Sequence, residues 1–294
     1  MYNEKGFGPK LRIFLIFAFV PLFAFLVVMV IPFLLGIFMT FTDWNGVATS
    51  FQFVGLHNFA EAVKDAGFWH SLGLTSLYVL ASVILINLFA FGLALLVTSG
   101  IKGQNVFRAG FFTPNLIGGV ILGFIWQFLF SRVFVLLGHH LNLPFLSDSW
   151  LSDPNKAMWA LVIVGVWQSA GYMMLIYIAG LTGISDSVLE ASQIDGATKM
   201  RQLFSIKIPQ MVPAFTISLF LTISRNFMVY DTNLSLTKGG PYRATELITM
   251  HIYNEAFVYQ HYGTGQAKAI LLFLVVAIIA VSQVVITKRL EVES

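Results

Sequence analysis

The sequence predicts an all-α, polytopic membrane protein with six transmembrane helices and both termini in the cytoplasm. Three observations predict it. The first is composition: 57% of the 294 residues are hydrophobic, only 11% are charged, and the mean hydropathy is +0.80, far outside the range of a soluble domain. The second is that the apolar residues come in runs, each long enough for the roughly twenty residues that a bilayer span requires. The third is the distribution of charge between those runs. With both ends inside, ten basic residues face six acidic ones on the cytoplasmic side, against seven and eight on the other. The inverted orientation would violate the positive-inside rule.

The chain starts with a polar, basic segment, Met1 to Arg12, in which Lys5, Lys10 and Arg12 outweigh Glu4. The first span follows from Ile13 to about Phe41. It is too long for a secretory leader and lacks a small-residue cleavage site, so it is retained. Pro21 and Pro32 are expected to kink it. Residues 42–71 mix Asp43, Trp44, His57, Glu61 and Trp69 and are placed outside. The second span runs from about Leu72 to Val97, turns at Ser99 to Gly103, and is followed by a third from Arg108 to about Phe130. An outer loop, 131–156, leads to the fourth span, about Ala157 to Gly180. The fifth spans about Met211 to Leu234, and the sixth about Gly265 to Thr287, ending inside at Lys288 and Arg289.

Between the fourth and fifth spans lies a polar island, Ser185 to Pro213. Ser187 and Glu190 have the spacing of a capping box, which predicts a short helix there. Gly196 can adopt a positive φ and end that helix, so a second, from Ala197 to about Ser205, leaves at an angle. Pro209 and Pro213 close the second helix and open the next span. Leu189, Ile194, Leu203 and Phe204 are positioned either to hold this element on the span ends or to present it to a partner.

Glu190, Ala191 and Ser192, then Gly196 and, nine residues later, Ile206, Lys207, Ile208 and Pro209 resemble the EAA signature of bacterial ABC importer membrane subunits. Ser192 and Ile208 depart from it within the same size class. Further residues resemble the maltose, lactose, raffinose and glycerol-phosphate branch of that family. They include Phe111 to Pro114, Trp126, Trp167 with Gly171, and Thr237 to Pro241 with Ala244 and Thr245. Leu74 stands where the family usually has Asn. The resemblance covers nearly the whole chain. It implies a type I ABC importer permease fold in the bacterial inner membrane, with residues 72–287 as the permease core and an EAA loop at about 185–210. Residues 1–71 precede that core and 288–294 form a tail. It also implies partners: a second permease chain, two ATP-binding subunits and an extracytoplasmic sugar-binding protein. Glu190, Ala191, Ser192, Asp195, Gly196, Ile206 and Pro209 would then couple the chain to the ATPases. This chain would bind no cofactor; ATP and magnesium would sit on the partner.

A solute pathway needs polar or aromatic side chains at membrane depth. Counting from the span edges places Asn87, Gln168 and Asn226 near the midplane, with Tyr172 and Tyr230 one helical turn beyond the last two. Trp167 lies about 100° from Gln168. Amides suit the hydroxyls of a sugar and aromatic rings its C–H face. Interhelical hydrogen bonding is an equal account of any one of them. Arg225, a guanidinium inside a span, is expected to face the solute path or a companion subunit.

Several chemistries are excluded. With no cysteine there is no disulfide or thiolate site, and no G-x-x-x-x-G-K-[ST] occurs. His139 and His140 are adjacent and point apart on a helix, His57, His70 and His261 stand alone, His251 with Glu255 one turn on has no third ligand at useful spacing, and the basic residues form no nucleic-acid face. Two alternatives stay open: import of glycerol phosphate, which one arginine would suit, and a carrier driven by an ion gradient.

Overall fold

A computed structural model describes residues 7–291; Glu4, Lys5 and Glu293 of the charge tally lie outside the described residues. Among these residues there is no strand, only one antiparallel bridge between Thr42 and Phe53. In chain order the helices are α1 (residues 7–39), α2 (His57–Lys64), α3 (Ala66–Val97), α4 (Gln104–Phe112), α5 (Gly119–His140), α6 (Pro154–Thr182) and α7 (Asp186–Ile194). They continue with α8 (Lys199–Gln210), α9 (Val212–Phe227), α10 (Asp231–Leu236), α11 (Ile248–Tyr253) and α12 (Tyr262–Lys288). Five of them are long and apolar enough to cross a membrane, and the bent pair α8–α9 makes a sixth.

Pro21 and Pro32 do not break α1. Each is preceded by a π-helical turn, Phe14–Phe19 and Leu26–Val30. Widening the helix there relieves the clash of a proline ring with the carbonyl one turn back, and the missing N–H costs no ladder bond. The same device recurs at Leu203–Lys207 before Pro209. Consequently the island's second helix begins at Lys199 and passes through Pro209 rather than ending near Ser205.

Two predicted spans are corrected. The third does not run unbroken from Arg108 to Phe130: α4 stops at Phe112, a 3-10 turn occupies Thr113–Leu116, and the crossing helix is α5, which extends to His140. Pro114 and the Gly118-Gly119 pair account for the break. The fifth does not reach Leu234, because α9 ends at Phe227 and the chain re-forms as the short α10. At its other end a 66° bend separates α8 from α9, at Met211 between Pro209 and Pro213.

The chain packs as two units, each with its own interior. The first joins the chain up to Asp65 with Ile252–Leu271. Here Asn58 donates to the carbonyls of Thr40 (2.9 Å) and Thr42 (2.8 Å). Lys268, almost fully buried, is neutralised by Asp65 (2.6 Å) and Glu255 (2.7 Å), and Glu255 also holds His261 (2.7 Å). A buried ammonium persists only with such partners. Burial works to raise the Glu255 pKa, but the bonds from Lys268 and His261 prevail and keep its carboxyl below the ordinary range.

The second unit joins Ala66–His251 with the chain from Leu272 on. Its centre is α3 against α6. The 32 residues of α3 span about 48 Å, more than a bilayer core. The 29 residues of α6 start at Pro154 in the first turn, with the Asp153 carboxylate accepting from the backbone N–H of Asn155 and of Lys156, both at 2.9 Å. Fully buried Ala90 and Ala94 on α3 and Ala160 and Gly165 on α6 keep the two backbones close. Met173, Met174 and Tyr177 fill the space that they leave, joined by Met211 and Ala214.

Candidate functional site

The island is built from a turn outward. Ser185, not Ser187, occupies the cap position of α7; the two hydroxyls bond each other at 2.7 Å, and neither caps the helix with its side chain. The predicted capping box is therefore absent and Glu190 is free for other work. At the far end Gly196 has φ +75°. The Ala197 N–H reaches the Ser192 carbonyl (2.9 Å) and the Gly196 N–H that of Gln193 (3.0 Å), the two bonds of a Schellman motif. Thr198 then caps α8, its hydroxyl accepting from the Arg201 N–H at 3.3 Å.

A brace joins the two arms. Gln202 donates to the Ser192 hydroxyl (2.7 Å) and, at 3.3 Å, to the Leu189 carbonyl, and both side-chain partners are 7% exposed. Ser192, one of the two departures from the EAA signature, is therefore what the second arm grips. Sequence reasoning missed Gln202, because its partner lies ten residues away across the turn. Leu189 packs inward with Ile184 against the cluster of Tyr177 and Met211. The opposite face leaves Ile194 86%, Met200 63% and Phe204 61% exposed. Glu190, Ala191, Asp195 and Gly196 lie on the surface, with Ile206 and Pro209 half-buried where α8 approaches its bend. Such an element, rigid inside and apolar outside, can carry force from a partner to the span ends.

The candidate pathway residues separate into three places. Gln168, Arg225 and Tyr230 line one cleft of about 320 Å³, together with Gly119, Met228, Val229, Asp231 and Thr232. Tyr172 lies beneath it, with the Arg225 guanidinium 4.7 Å from its ring centre. Gln168 donates to the Ile117 carbonyl (3.0 Å), fixing α6 to the turn before α5. Trp167, one residue away, turns instead into an apolar groove of about 430 Å³ beside Phe89, Phe111 and Gly171. The 100° step that separates consecutive helical residues suffices for this.

Asn87, half-buried, sits in a third place, a knot of three helices whose other members are buried. Its carbonyl oxygen accepts from Tyr177 and from Ser218, both at 2.6 Å, and its amide donates to the Val83 carbonyl (2.7 Å) and the Thr222 hydroxyl (3.2 Å). Asn226 is buried and bonded to the Thr222 carbonyl (2.8 Å). Because α9 ends at Phe227, Asn226 and Tyr230 do not share a helical face, which corrects the expected pairing. Asn87→Leu is expected to lower the stability of the solubilised protein by about 1–3 kcal/mol, since buried partners on three helices lose their bonds. Thermal denaturation measures that loss, and an unchanged KM for uptake distinguishes it from damage to a binding site.

Asp231 and Thr232 were not anticipated in the cleft. Read on a continuous helix, Asp231 falls off the face of Arg225; the break at Met228–Tyr230 brings both to one opening. Close packing there depends on α5 glycines. A Cβ on Gly119 would lie 2.9 Å from that of Asp231, and one on Gly123 would lie 1.8 Å from the Ser235 hydroxyl.

The comparisons with known proteins agree with this architecture. Residues 87–292 match the family described as binding-protein-dependent transport system inner membrane component. A probable starch degradation products transport system permease of Thermoanaerobacterium thermosulfurigenes is 45% identical over 92% of both chains. A multiple sugar-binding transport system permease of Streptococcus mutans is 30% identical over 94% of this chain and 95% of that one. A crystal structure of a bacterial ABC transporter that imports the acidic polysaccharide alginate aligns with a TM-score of 0.81 at 19% identity, covering 96% and 98% of the two chains. The last shares the type I importer permease fold. On the extent of the family match and the full-length identity to its relatives, this chain belongs to the inner-membrane components of binding-protein-dependent transport systems.

Proposed function

We propose that the chain is one transmembrane half of an ATP-driven importer of carbohydrate, an oligosaccharide by the chemistry of its cleft. A second permease chain completes the pathway, a solute-binding protein delivers the sugar from outside, and ATPase subunits that carry the ATP and magnesium hold the island. The observation that carries this reading is the island itself. Ile194, Met200 and Phe204 form an apolar surface on a polar loop, where exposed patches mark partner sites. The Schellman turn and the Ser192–Gln202 brace make it stiff. When the ATPases close, they displace this element, and Leu189 and Ile184 pass the displacement into the core around Tyr177. Glu190, Ala191, Ser192, Asp195, Gly196, Ile206 and Pro209 act here as the coupling set.

Sugar uptake into sealed vesicles carrying the assembled transporter tests it. Uptake is expected to require ATP and to continue when the proton gradient is collapsed. Uptake that follows the gradient and ignores ATP would overturn the proposal and favour a secondary carrier.

A further inference from the structure

The cleft holds two opposite charges that do not neutralise each other. Arg225 and Asp231 both line it, yet they form no ion pair with each other or with any other described residue. Among the described residues the Arg225 guanidinium meets the face of Tyr172, at 4.7 Å, and makes no hydrogen bond through its edge donors. Among the described residues the Asp231 side chain accepts no bond, while its backbone carbonyl accepts from the Ser235 hydroxyl at 2.7 Å. Both side chains are exposed at the cleft, Arg225 in the last turn of α9 and Asp231 in the first turn of α10, so each is open to an entering solute.

These two groups suit one class of solute. A carboxylate accepts hydrogen bonds from a pair of hydroxyls, and a guanidinium donates to a ring or hydroxyl oxygen, so a polyhydroxyl compound satisfies both at once. An acidic sugar or a phosphate ester does not. It would gain one attraction at Arg225 and meet one repulsion at Asp231, while giving up the hydration of its own charge. We propose that Arg225 and Asp231 together select uncharged polyhydroxyl solutes and reject anionic ones. The selection rests on the reading of this cleft as part of the solute pathway, given above.

Binding to the complete transporter in lipid nanodiscs, with no solute-binding protein present, isolates this site from selection upstream. The probes are maltotriose and trigalacturonate, equal in length and different in charge, at millimolar concentration, with saturation-transfer NMR as the readout. The wild-type complex is expected to bind maltotriose and to bind trigalacturonate at least about tenfold more weakly. Asp231→Asn is expected to reduce that difference to about threefold or less by admitting the acid. Arg225→Gln is expected to weaken maltotriose without admitting trigalacturonate. Retention of the ATPase subunits by each variant shows that it is assembled. If the wild-type complex binds both probes equally, or if Asp231→Asn leaves the difference unchanged, the selector is wrong while the pathway reading stands. If maltotriose does not bind the wild-type complex at all, the cleft is not on the pathway and both fall.

Discussion

Gly196→Val is expected to insert and accumulate normally but to transport sugar at about a tenth of the wild-type rate or less. The backbone supplies the reason. At φ +75° an L-residue with a branched Cβ is strained by about 2 kcal/mol or more, and valine is among the least tolerant. Space is not the obstacle, because a Cβ on Gly196 meets nothing within 4 Å. The variant therefore relieves strain by abandoning the left-handed turn, and the bonds from Ala197 to Ser192 and from Gly196 to Gln193 go with it. The angle between α7 and α8 is then set by nothing but the Gln202 brace, and Ile194 and Met200 no longer share one surface. ATP hydrolysis by the partner subunits should persist but cease to respond to delivered sugar. Gly196→Asn separates conformation from bulk, since asparagine accepts this region more readily, and it should retain most of the transport. Normal uptake by the valine variant would remove the coupling role from this turn.

The island and the spans were legible in the sequence to different depths. Apolar content alone reveals a crossing helix, so six crossing segments were found. Hydropathy does not follow the backbone path, however. Met228 to Tyr230 is as apolar as its surroundings, yet the chain breaks there, whereas the break at Thr113 to Leu116 is marked only by Pro114 and Asn115 inside a longer apolar run. Both misplaced boundaries adjoin the cleft, where a straight helix could not have brought Asp231 to Arg225. Proline acts in two ways: a π turn precedes Pro21 and Pro32 inside a helix that continues past them, while α8 ends one residue beyond Pro209, before the bend to α9. Gly196 was readable because few residues fit a left-handed turn, whereas Ser187 with Glu190 imitated a cap whose position Ser185 occupies. For Asn87 the sequence leaves two readings level, solute path and interhelical bonding, and the structure shows the second. Its bonding partners, Tyr177, Ser218 and Thr222, are 90 to 135 residues distant, and an amide in a span looks the same whether it binds solute or helices.

Gly171→Val is the substitution expected to cost most, through the fold rather than through coupling. A Cβ at Gly171 would stand 1.7 Å from the Phe111 carbonyl oxygen, 2.3 Å from its carbon and 2.9 Å from the Phe112 nitrogen. All three are backbone atoms, so no side chain can swing aside. The end of α4 would have to leave α6, opening the apolar groove beside Phe111 and Trp167 and detaching the turn whose Ile117 carbonyl holds Gln168. Overpacking a tight contact costs about 1–3 kcal/mol where side chains yield, and more where they do not. Even Gly171→Ala should therefore reduce the amount of folded protein, and the valine variant should reach the membrane, if at all, as an aggregating or protease-sensitive chain. Gly73 provides the comparison. It lies on α3 with open space around it, so Gly73→Ala should be neutral or slightly stabilising through helix propensity. Size-exclusion profiles of the solubilised proteins, with membrane levels by immunoblot, read out both variants. A monodisperse Gly171→Val protein at wild-type abundance would show that α4 and α6 do not approach as closely as the backbone of Phe111 requires, and the placement of the cleft's Gln168 would have to be revised with it.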